Sequence, residues 1–117
     1  MRPAGIHHVA IVVDDADRAS AFYRDVLGLT PLQRPDSPDE RGCWFDSGGA
    51  QLHVMQPKVP ASTRPHFAIS VDDLGEAVAD IRRRGVTVYD VEHTPGAGYQ
   101  AFLVDPAGNV IELNQAE

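Results

Sequence analysis

The sequence predicts an α+β domain made of two tandem β-α-β-β-β modules. Three observations carry this: an internal repeat, a helical stripe in each half, and strand patterns around both. Residues 8–15 read H-V-A-I-V-V-D-D and residues 66–73 read H-F-A-I-S-V-D-D, six identities in eight at an offset of 58. A second pair, D-S-G-G-A-Q-L-H at 46–53 and D-P-A-G-N-V-I-E at 105–112, follows at an offset of 59. Segments that keep their order and nearly keep their spacing mark a duplication. Module one is taken as 1–57 and module two as 58–117, joined by a proline-rich linker over about 57–65.

Each module opens on a β-branched apolar run, Ile6 to Val13 and His66 to Val71, that ends at paired aspartates. Asp14 or Asp15, and Asp72 or Asp73, can cap a following helix, with Glu76 completing a capping-box pattern in the second. Ala19, Phe22, Tyr23 and Val26 then fall at helical spacing, as do Leu74, Ala77, Val78 and Ile81, so both stripes are expected in the core. Gly28 and Gly85 stop the helices. Strands follow at 29–33, 43–46 and 50–56, and at 86–91, 99–104 and 109–114. The segments 34–42 and 93–98, rich in proline, glycine and charge, are expected as loops.

The chain has 117 residues, enough for one core and too few for two independent domains. Its net charge of −7 argues against nucleic acid or an anionic membrane as partner. Arg82, Arg83 and Arg84 stand at a helix end, where cations are favourable without any ligand. One cysteine, Cys43, rules out an internal disulfide, and no apolar run is long enough for a signal peptide or a span. A cytoplasmic protein is expected.

Alternation along the strands sorts their side chains onto two faces. Val9, Ile11 and Val13 form an apolar row that leaves His8, Ala10 and Val12 on the other side; Phe67, Ile69 and Val71 leave His66, Ala68 and Ser70. In the last strands Leu52 and Val54 oppose Gln51, His53 and Met55, and Ile111 and Leu113 oppose Val110, Glu112 and Asn114. His8, His53, His66 and Glu112 thus occupy two pairs of repeat-equivalent positions, each among small or apolar neighbours. A buried carboxylate within V-I-E-L needs a cation or hydrogen-bond partner. With three imidazoles it forms a donor set suited to Ni, Co, Zn, Mn or Fe rather than Mg or Ca. A histidine taken singly is more often a hydrogen-bonded polar residue than a ligand, and it is the joint placement that favours the metal. His7 alternates away from this face, His93 lies in an expected loop, and Cys43 reads as a packed thiol.

These motifs resemble the vicinal oxygen chelate superfamily, the glyoxalase I, bleomycin resistance protein and extradiol dioxygenase group, from I-H-H-V-A-I to D-P-A-G-N-V-I-E-L. The resemblance implies a cup-shaped mixed sheet with helices outside and a metal held by His8, His53, His66 and Glu112. It implies a small substrate that chelates the metal through neighbouring oxygens. In the isomerase branch a glutamate moves a proton α to a carbonyl through an enediolate, so Glu112 is the candidate base, and Glu112→Gln is expected to keep metal and lose turnover. His53 stands where glyoxalase I usually has glutamate; it can be a fourth ligand, a second acid/base or a donor to substrate. His8, His66 and Glu112 alone make a 2-His-1-carboxylate triad, which keeps Fe(II) ring-cleaving dioxygenation open. A non-catalytic drug-binding protein of the bleomycin-resistance type is the third reading. A homodimer is expected on family grounds and on the prevalence of twofold assemblies.

Overall fold

In the computed structural model, which describes residues 1–37, 40–59 and 64–117, the paired aspartates do start helices. Asp15 accepts a hydrogen bond from the Arg18 backbone N–H at 3.0 Å, and Asp73 accepts one from Glu76 at the same distance. The chain divides into two compact units, residues 8–65, and residues 66–117 together with 1–7. Residues 60–63 of the expected linker and residues 38 and 39 of the first expected loop lie outside the described residues.

The unit of residues 8–65 holds β1 (Pro3–Val12) from His8 onward, α1 (Ala16–Ala21), a π-helical turn (Phe22–Val26), β2 (Thr30–Leu32), β3 (Glu40–Asp46) and β4 (Gln51–Pro57). β1 runs parallel to β4, with Ala10 opposite His53; β3 is antiparallel to β4 and to β2. Phe45 and Val54 are fully buried, and the Tyr23 ring lies 6.1 Å from that of Phe45. The first helical stripe departs from expectation: Phe22 is 49% exposed and Val26 66% exposed. The α-helix ends at Ala21, and Leu27 N–H reaches back five residues to the Phe22 carbonyl at 3.3 Å. The wider turn rotates later side chains off the α-helical stripe, which keeps Tyr23 inward and turns its neighbours out.

The other unit carries β5 (His66–Val71), α2 (Leu74–Arg83), β6 (Tyr89–Thr94), β7 (Gly98–Val104) and β8 (Val110–Gln115). β5 is parallel to β8, β8 antiparallel to β7, and β7 antiparallel to β6. Its core joins Leu74, Ala77 and Val78 of α2 to Val71, Val88, Ala101 and Leu113, with Ile69, Ile81 and Leu103 packed against them. This stripe is the expected one. Gly85 (φ +82) donates to the Arg82 carbonyl at 3.0 Å and Val86 to that of Ile81 at 3.3 Å, a Schellman ending that consumes Val86. The sixth strand therefore starts at Tyr89 rather than at Val86. It runs on through His93 and Thr94, so the expected loop over 93–98 shortens to a three-residue hairpin turn. Glu40, Arg41 and Gly42 likewise belong to β3, not to a loop, because they pair with Pro57, Gln56 and Met55. Arg83 and Arg84 face Asp80 at 3.3 and 3.8 Å, and Arg82 donates to the Val88 carbonyl.

The two modules share a contact at the helix start. Gln56 Oε1 accepts from the Ala16 backbone N–H at 2.8 Å, and Gln115 Oε1 accepts from that of Leu74 at 2.7 Å. In each unit a glutamine at the end of the last strand satisfies an otherwise orphan donor at the helix start. The D-P-A-G-N motif is a hairpin turn: Asp105 Oδ1 accepts from Ala107 and Asn109, and Oδ2 from the Asn109 amide. The Asn109 side chain first, and then these backbone groups, hold the Asp105 carboxyl below the usual range. At Gly98 (φ +87) an added Cβ would sit 2.3 Å from the Gln115 backbone carbonyl oxygen. Gly98→Ala is expected to cost more than about 1 kcal/mol, read as a lowered thermal midpoint; an unchanged midpoint would contradict the close approach.

Candidate metal centre

Strand alternation builds the site face of each unit. In module one, His8 and Ala10 of β1, Gln51 and His53 of β4, and Trp44 of β3 share one side, because His8 pairs with Gln51, Ala10 with His53 and His53 with Trp44. His53 lies between two rings: His8, 3.9 Å away with planes 16° apart, and Trp44, 3.9 Å away and 1° from parallel. Its Nε2 is 2.8 Å from Gln51 Oε1, two residues back on the same face. An imidazole stacked on both sides keeps only in-plane rotation, and Gln51 sets that rotation. Cys43 alternates to the other face, opposite Val54, as a packed thiol should.

In module two, His66 and Glu112 meet. His66 Nε2 is 3.3 Å from Glu112 Oε1; the Glu112 side chain is buried at 6% exposure and that of His66 largely so at 10%. The His66 ring also meets Phe102 edge-on, with centroids 5.7 Å apart. Glu112 Oε2 accepts a hydrogen bond from Asn114 Nδ2 at 3.0 Å. Two donors that each lie about 2.1 Å from one ion stand roughly 3 to 3.4 Å apart, so the imidazole and the carboxylate have the spacing of neighbouring ligands. The chemistry fits as well, since a nitrogen and a carboxylate oxygen suit a divalent transition metal.

The structure thus brings together His8 with His53, and His66 with Glu112. His7 is half-buried, and His93 stacks on Tyr99 at 4.5 Å and pairs with Glu117. Sequence reasoning gave no role to Trp44, Gln51 or Asn114. Gln51 and Asn114 each stand two positions from a candidate ligand, and that period of two was the signal available; Trp44 needed the β3–β4 register.

Comparison with known proteins gives these pairs a context. Residues 5–113 match the model of the Glyoxalase/Bleomycin resistance protein/Dioxygenase superfamily. The chain belongs to that superfamily. It is 29% identical to mouse mitochondrial methylmalonyl-CoA epimerase over 95% of this chain and 72% of that protein. It is 27% identical to Arabidopsis thaliana Glyoxylase I 4 over 92% of this chain and 68% of that one. Among solved structures, the methylmalonyl-CoA epimerase of Mycobacterium tuberculosis matches with a TM-score of 0.82 and 26% identity, covering 97% of this chain and 88% of that one. These are superfamily enzymes, and the fold expected from the motifs is the one the chain shares with them. Among the described residues no helix is long and apolar enough to cross a membrane.

Proposed function

We propose that this superfamily member is a divalent-metal-dependent isomerase or lyase of the glyoxalase kind, acting on a small substrate with two neighbouring oxygens. The observation that carries the reading is the pair of His66 and the buried Glu112, 3.3 Å apart. In this reading His8 joins the pair as a third ligand, and His53 serves as fourth ligand or as donor to substrate. The bound ion supplies Lewis-acid polarisation of a substrate oxygen. Glu112 takes the proton from the carbon beside the carbonyl and delivers it to the neighbouring, former carbonyl carbon of the resulting enediolate, while Asn114 holds its second oxygen. The epimerase and glyoxalase relatives support proton transfer of this type and point to two probes, a 2-substituted malonyl thioester and a 2-oxoaldehyde thiol adduct. The exposed Phe22, Val26 and Leu27 support a homodimer, and the composition supports a cytoplasmic setting.

The test is metal analysis of the untagged chain, followed by proton NMR of both probes in deuterated water. Solvent deuterium should enter at the α-carbon in the metal-loaded protein, stop with chelator and return with metal. Absence of both exchange and rearranged product with either probe in metal-loaded protein would reject isomerisation. A second reading, ring-cleaving dioxygenation, is favoured by the engagement of His53 with Gln51 and two aromatic neighbours, which leaves the triad of His8, His66 and Glu112. Oxygen uptake with a catechol by the iron-loaded protein would select it, and ligand retention by metal-free protein without product would select a binding role.

A further inference from the structure

A chain of hydrogen bonds in module two ends on the candidate ligand Glu112. Thr94 Oγ1 donates to Gln100 Oε1 at 2.9 Å, and Gln100 Nε2 donates to the Ala97 carbonyl at 3.0 Å. Asn114 Nδ2 donates to that same carbonyl at 3.3 Å and to Glu112 Oε2 at 3.0 Å. Both amide side chains are buried, Asn114 to 3% exposure and Gln100 to 5%. The Asn114 amide has one workable orientation, because the reverse would aim its oxygen at two acceptors. In that orientation Asn114 Oδ1 is buried with no hydrogen-bond partner among the described residues, a cost to folding.

We infer that Asn114 is a positioning residue for Glu112. Its amide occupies Oε2 and turns Oε1 toward His66 Nε2, so that the two donors are set before an ion arrives. The turn between β6 and β7 anchors the device through the Ala97 carbonyl. Outer partners of this kind fix ligand orientation and typically carry about 10–100-fold in metal affinity. The inference rests on the proposal that His66 and Glu112 bind metal.

Cobalt(II) is the probe, titrated into metal-free full-length protein by visible absorption and by competition with a chromophoric chelator. Asn114→Leu should weaken cobalt binding about 10–100-fold and alter the ligand-field spectrum, beyond the modest fall in the metal-free thermal midpoint that follows from loss of the two Nδ2 hydrogen bonds. Asn114→Gln, which keeps an amide donor, should recover part of the affinity. Wild-type affinity and spectrum in Asn114→Leu would overturn the inference while the metal reading stands. So would an affinity loss matched by a fall in the metal-free midpoint and not relieved by Asn114→Gln. If wild type binds no cobalt, the metal reading fails and the inference falls with it. His66→Ala is the reference for losing a ligand outright.

Discussion

Glu112→Gln should abolish α-proton exchange, with a loss of about 10²–10⁴-fold, the range typical of a positioned general base. The substitution keeps the volume of the side chain and removes the group that accepts the proton. Metal binding should weaken without vanishing, because the imidazoles remain. The neighbouring asparagine sharpens the expectation. Asn114 Nδ2 donates to Glu112 Oε2 at 3.0 Å and will seek the single oxygen of a glutamine, which turns the amide N–H₂ toward His66 Nε2. A site of imidazoles and an N–H₂ group is a poorer host for a divalent ion than one containing a carboxylate. Glu112→Asp provides the graded comparison, since it keeps the charge and withdraws it by one methylene; exchange should fall less than in Glu112→Gln. Full exchange in Glu112→Gln would remove the glutamate from the chemistry. Loss of exchange with wild-type metal affinity would separate its role as base from its role as ligand.

How much of this was legible in the sequence differs from element to element, and the differences have physical causes. The strand His66–Val71 begins and ends where its pattern says, because an apolar row alternates cleanly and a capping aspartate follows. Alternation also put His8 with the face of His53, and His66 with that of Glu112, since side-chain direction in a strand is a local property. The first helix departs from its pattern because spacing cannot distinguish an α-helix from one that widens to a π turn, and Val26 at the end of that turn is left exposed. The start of β6 differs from its pattern because Val86 is recruited by the preceding helix end, while Asp90 takes a positive φ where the β6–β7 register shifts. The helix-start contacts of Gln56 and Gln115 span 40 and 41 residues, beyond any local pattern. D-P-A-G-N, which opens the second motif of the family resemblance, proves to be a turn held by Asp105; its proximity to Glu112 along the chain is what ties it to the site.

Phe45→Ala should carry the largest stability cost, about 3–5 kcal/mol, because it removes a fully buried aromatic and leaves a cavity. Phe45 sits in β3 opposite Pro31 of β2 and Leu52 of β4, with Tyr23 of the π turn over its ring, so no neighbour on these elements can move in without disturbing pairing. Against the roughly 5–15 kcal/mol that holds a domain of this size folded, such a loss should lower the thermal midpoint by roughly 10–20 °C. Phe45→Leu should cost less, since most of the apolar volume remains. The adjacent residue supplies the readout. Trp44, the chain's only tryptophan, points to the opposite face and stacks on His53, so its emission follows the order of the strand that Phe45 anchors. A midpoint within a few degrees of wild type would mean that Phe45 is not the keystone of this module. A large fall, with Trp44 emission shifting in the same transition, would show that the stack around His53 depends on the core behind it.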